Sequence, residues 1–154
     1  QCKVRAAYLM NLGEKEYYLV SEEWQERRKE TLEKAKKEKL AAILAYDTSS
    51  DVNGFMLNGN KVWLDKETRV GLMNSTQITR DMGNDTTTFW FGGYKLEVKC
   101  DMAIMLLSTL EMYALECFNV TAAHKKAVSE LTTIEEVEAY DYKTGYPKQL
   151  NIDL

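Results

Sequence analysis

One proline, Pro147, and one histidine, His124, stand in a chain of 154 residues. A lone proline near the end excludes proline-rich and collagen-like classes, and only 8 glycines exclude glycine-rich linkers. Cys2, Cys100 and Cys117 form an odd set without Cys-x-x-Cys spacing, so neither a disulfide framework nor a zinc site is expected. A metal at His124 would need further nitrogen or thiolate ligands, and none cluster around it. No basic excess is present: the net charge is -4, which argues against generic nucleic-acid binding. The longest apolar stretch, around Ile104 to Leu107, is far too short to span a bilayer, and no signal-peptide pattern is visible. What is abundant is apolar content, 45%, enough to argue against a wholly disordered chain.

The acidity is local. Glu130, Glu135, Glu136, Glu138, Asp141 and Asp153 face only Lys143 and Lys148 between Glu130 and Leu154. That end carries the whole net charge, and the rest of the chain is neutral. It reads as a solvated acidic terminus.

Along the chain, Cys2 to Met10 alternates, Asn11-Leu12-Gly13 offers a turn, and Tyr17-Tyr18-Leu19-Val20 is β-prone. These predict a first hairpin. Ser21 then suits an N-cap for a helix from Glu22 to about Tyr46. Between Gln25 and Lys39 only Leu32 and Ala35 are apolar. Glu23/Arg27, Glu30/Lys34 and Glu33/Lys37 have the favourable order for helix support, worth about 0.2–0.5 kcal/mol each. The stretch reads as a solvated linking helix, and its mixed charge argues against a nucleic-acid stripe.

Asn58-Gly59 sits between Val52–Leu57 and Lys61–Leu64, a strong hairpin signal. Asp65 can cap a helix from Lys66 to Met82, with Gly83-Asn84 as its stop. A third hairpin pairs Thr86–Phe91 with Tyr94–Val98 around Gly92-Gly93. Asp101 can cap the longest helix, Met102 to about Leu131, which is apolar on nearly every face through Phe118 and therefore reads as central and buried. Thr133 can cap a short helix, Ile134–Ala139, and residues 140–154 read as an irregular tail. The expected fold is α+β: three successive β-hairpin–helix units, antiparallel hairpins packed against a long central helix. The expected divisions are an N-terminal hairpin with its linking helix (1–33), an α+β domain (34–140) and a C-terminal tail (141–154).

No GxSxG, P-loop, HExxH or GxGxxG pattern occurs, so no catalytic residue, metal ligand or cofactor is expected and the chain reads as no enzyme. His124 lies on the same helical stripe as Cys117 and reads as a satisfied histidine at the core edge, not as the base of a thiol nucleophile. Trp63 and Trp90 lie in hairpins, where alternate residues face opposite sides. They pack under the helices or form an exposed recognition pair. Tyr140, Tyr142 and Tyr146, with Pro147, either dock onto a neighbouring subunit or fold back over their own body. These five aromatics are the candidate protein-interaction residues.

A further signal comes from a set of short motifs. A basic helix leads into Asn53-Gly54-Phe55, then Asn58-Gly59 and Trp63-Leu64-Asp65, with Arg69 in the next helix. Thr88-Phe89-Trp90 precedes a long helix with Met102, Ala103, Leu110, Tyr113-Ala114 and His124, and Leu131-Thr132-Thr133-Ile134-Glu135-Glu136-Val137 closes the pattern. From about Lys34 to Tyr140 the chain thereby resembles a small domain of unknown function common in bacteriophages and prophages, encoded beside tail and tail-fibre genes. The resemblance implies a non-enzymatic structural or assembly protein of a phage or prophage. Its partners would be a tail or tail-fibre protein or a second copy of itself, with no nucleic acid, membrane or small-molecule substrate. Its place would be the bacterial host cytoplasm or the virion. A host-interaction or regulatory protein of a prophage is the alternative reading, and a small enzyme with an unrecognised site is the third.

Overall fold

A computed structural model describes residues 14–154, with side chains from residue 22 onward. The order of elements is α1 (Glu14–Asp47), β1 (Phe55–Leu57), β2 (Asn60–Val62), α2 (Lys66–Asp81), β3 (Thr86–Phe91), β4 (Tyr94–Lys99), α3 (Cys100–Glu130), α4 (Ile134–Ala139) and β5 (Leu150–Ile152). The class is α+β with a long helix, α3, at its centre.

The beginning corrects the sequence reading. Tyr17–Val20, expected as a strand, is helical, because α1 starts at Glu14. Helix formers flank the four β-prone residues on both sides, and extending a helix is easier than nucleating a new one at Ser21. The other half of that hairpin, Val4–Met10, lies outside the described residues. Two hairpin–helix units are therefore described, β1-β2-α2 and β3-β4-α3, where three were expected.

Two compact units emerge from the internal packing of the described residues: one holds α1 as far as Ala41 with Ala127–Tyr140, the other Ala42–Lys126 with Asp141–Leu154. In the first, every residue from Glu22 to Thr31 is exposed, as the charged composition implies. None of the Glu-to-cation pairs read from the sequence closes to ion-pair distance among the described residues. From Leu32 a half-buried stripe begins: Leu32, Ala35, Lys36, Lys39 and Leu40. Its lysines do what the helices they meet need. Neither α3 nor α4 has a basic residue in its last turn. Lys36 Nζ donates to the Ser129 carbonyl at 2.8 Å, and Lys39 Nζ donates to those of Glu138 and Tyr140 at 3.1 and 3.4 Å. Cations at helix C-termini meet carbonyls that have no partner in the helix itself. Thr133 caps α4, accepting from the Glu136 N–H as expected.

In the second unit, β2-β1-β5 form a three-stranded sheet and β3-β4 a separate two-stranded one. Asn58 and Gly59 both adopt positive φ, 48° and 80°, the backbone that a two-residue hairpin turn demands. β5 pairs in parallel with β1, Phe55 beside Leu150 and Leu57 beside Ile152. The C-terminal stretch, expected to be irregular throughout, thus contributes a strand. Asn58 anchors it: its backbone N–H donates to the Ile152 carbonyl at 2.9 Å, and its Oδ1 accepts from the Leu154 N–H at 2.8 Å.

The core gathers Phe55, Leu57, Val62 and Leu64 from the first hairpin and Phe89, Leu96 and Val98 from the second. Ala103, Leu106, Leu107 and Leu110 of α3 pack against them. α2 starts on its expected cap, with Asp65 Oδ1 accepting from the Thr68 N–H at 2.7 Å. β4 runs straight into α3 at Cys100, so Asp101 lies in the first turn and not at the cap. α3 was expected to be buried all round, and it is buried on one face only. The two small sheets cover the Ala103–Leu110 side, and no further layer covers the opposite side within this unit. By length and composition α3 is also long and apolar enough to cross a membrane, although its covered face is packed in this core.

Candidate association surface

α3 carries Met105 at 70% exposure, Met112 at 64%, Leu115 at 49% and Phe118 at 64%. Large apolar side chains exposed together on one helix are the kind of surface that marks interaction sites in soluble proteins. The patch runs into a groove of about 470 Å³. Leu115 and Phe118 line it from the helix side, and Trp63 lines it just past β2. Trp63 sits between Val62 and Leu64, both buried, so strand alternation turns it outward to 40% exposure.

Most of the polar lining of the groove is engaged in holding the fold. Arg69, with its side chain only 8% exposed, donates from Nε to Glu111 Oε1 at 2.8 Å and from Nη1 to the Leu64 carbonyl at 2.9 Å. Asp65 caps α2, and the Thr68 backbone N–H, then its side chain, holds its carboxyl below the usual carboxylate range. Asp47 accepts from the Thr121 hydroxyl at 2.7 Å. Asn53 alone has a buried oxygen, Oδ1, without a hydrogen-bond partner among the described side chains. Thus the three carboxylates on the groove each serve a structural bond. Among the described residues no three His, Cys, Asp or Glu side chains are grouped to hold a metal ion.

The candidate aromatics separate. Trp90 is 64% exposed on the outer face of its hairpin, with Lys95 of the facing strand 5.9 Å from its ring centre. Tyr142 and Tyr146 fold back onto their own unit, each edge-on to Tyr46 at 5.8 and 5.5 Å between ring centres. The Tyr146 hydroxyl lies 2.6 Å from Thr121 Oγ1, and burial pushes that phenol up from its ordinary value. Tyr140 is half-buried at the end of α4, in the other unit. His124 Nε2 lies 2.7 Å from the Thr144 carbonyl oxygen, and its ring packs beside Tyr146. Cys117 is buried, and burial pushes its thiol up, so it stays protonated near neutral pH. Both residues therefore match the structural reading.

Residue type singled out Trp63 and Trp90 without deciding between burial and exposure, and both are exposed; it did not single out the methionines of α3. It also missed the Arg69–Glu111 pair. The signal for the pair was present: Glu111 is the single charge on α3 between Asp101 and Glu116, and a carboxylate inside an apolar run calls for a cation.

The chain matches no family model, no curated protein and no solved structure.

Proposed function

We propose that the chain is a non-enzymatic association module, a structural or assembly protein of a phage or prophage tail or tail fibre. The observation that supports this is the set of exposed apolar side chains on α3, Met105, Met112, Leu115 and Phe118, of which Leu115 and Phe118 line one groove with Trp63. Large exposed apolar side chains next to a groove are the kind of surface on which protein partners find anchors. The motif resemblance supplies the phage context. The mechanism is docking: the partner covers that apolar surface, and the rigid sheet beneath α3 keeps its shape.

The test is to look for the protein by mass spectrometry in purified virions and among proteins retained by immobilised full-length chain. Presence in virions, or retention of a tail or tail-fibre protein, is expected. Absence from virions with retention of a host protein would move the chain to the prophage regulatory class. A turnover that depends on the groove carboxylates would overturn the non-enzymatic reading.

A further inference from the structure

Met105, Ser108, Met112, Leu115 and Asn119 follow one another along α3 at alternating steps of three and four residues, all of them exposed. That is the spacing of a coiled-coil seam. It begins one step earlier at Asp101. The helix has no charge from Met102 to Leu110; of the two carboxylates that follow before Asn119, Glu111 is held by Arg69 and Glu116 is exposed beside the seam.

We propose that this seam pairs, antiparallel, with the same seam of a second copy of the chain. The face is complementary to its own inverted copy. With the two-fold axis at the middle of the seam, Met105 meets Leu115 of the second copy, and Ser108 meets its Met112. A short side chain opposite a long one lets the helices approach closely. Asp101 then faces Asn119, and its charge is already met in its own chain by Arg80, whose Nη1 lies 3.4 Å from Asp101 Oδ1. A parallel pair would set Asp101 against Asp101 and Ser108 against Ser108, a like-charge contact and a gap in one seam. Beside the seam, the Thr109 hydroxyl donates to the Met105 carbonyl at 2.9 Å, so covering it breaks no hydrogen bond. Asp101 at the start of the seam and Glu116 beside it disfavour an anionic membrane as the cover.

Size also bears on the pairing. A stable contact takes about 800 Å² from each partner. The seam alone offers less, and Met102 and Phe118 on its flanks, 43% and 64% exposed, extend it toward that figure. A contact of this small size belongs with the weak, concentration-dependent associations, so the pairing is sought in the micromolar range and above. The pairing names the partner within the association reading above and rests on it only for context. A monomer that is nonetheless found in virions sinks the pairing and leaves that reading intact.

The experiment is sedimentation equilibrium of the full chain from about 1 to about 200 µM, a range that brackets a micromolar constant. Wild type is expected to pass from monomer to dimer. Met112→Glu, a change at a site exposed in the monomer, is expected to keep the monomer's circular dichroism and weaken the dimer about 100-fold. Met112→Gln, which adds no charge, is the second variant and weakens it less. In a Cys2→Ser background, chains carrying Met105→Cys are expected to cross-link to chains carrying Leu115→Cys when the two are mixed. A monomer throughout the range overturns the proposal. So does a dimer indifferent to Met112→Glu, or cysteine variants that cross-link only with themselves.

Discussion

Single side chains do their work here mostly by closing backbone accounts. Asp65 is the clearest case, because its carboxylate satisfies the Thr68 N–H that the first turn of α2 leaves open. Its pKa is lowered in the folded chain, first by that N–H, next by the Thr68 hydroxyl, with Arg69 adding a smaller pull. The stabilisation is therefore fully present above the unfolded pKa, about pH 4, and is lost as pH falls through the lower folded value. Asp65→Ala should melt a few degrees lower at pH 7, and thermal scans of both proteins should converge toward pH 2. Arg69 closes a second account. Arg69→Met keeps volume but leaves the Leu64 carbonyl and the half-exposed Glu111 without their cation. Urea unfolding should show a loss of about 1–3 kcal/mol.

At the scale of elements, β5 is the piece with the largest consequence. It lies on β1, whose Phe55 and Leu57 are almost wholly buried, and its own Leu150 and Ile152 pack against the core. Ending the chain after Gln149 removes that cover and opens the β1 edge. A loss of about 2–4 kcal/mol is expected in urea unfolding, with light scattering rising on heating because an unpaired strand edge is a template for aggregation. The same strand explains why residues 140–149 are not a loose end. Tyr146 bonds to Thr121, and Tyr142 and Tyr146 flank Tyr46, so the run into β5 is tied down on the way.

For the molecule as a whole, the question is what covers α3. Its inner face belongs to the core, and its outer face carries Met105, Met112, Leu115 and Phe118 in the open among polar side chains. Replacing Met105, Met112 and Phe118 together by Ser should leave circular dichroism and the melting transition close to wild type, since all three are exposed. Retention on a hydrophobic-interaction column should fall clearly. A collapse of the fold in that variant would mean the three side chains belong to the core after all, and the association surface would be lost with them.

Features that depend on neighbours within a few residues can be read directly from the order of amino acids. The caps at Asp65 and Thr133, the Asn58-Gly59 turn, the two described hairpins and the extents of α2, α3 and α4 were all legible, because local hydrogen bonds and allowed backbone angles decide them. Trp63 and Trp90 stood out by type, but their exposure was decided by the strand alternation around them and not by the residues alone. Tyr17–Val20 was misread because a four-residue β preference yields to a helix extending from either side. Tertiary structure alone decided the rest. No local pattern marks Leu150–Ile152 as the parallel partner of β1, or assigns Lys36 and Lys39 to carbonyls far along the chain. Nor does periodicity choose between two apolar faces of one helix. That choice falls to the number of strands available to cover α3, and the strands of this unit pack against one side of it.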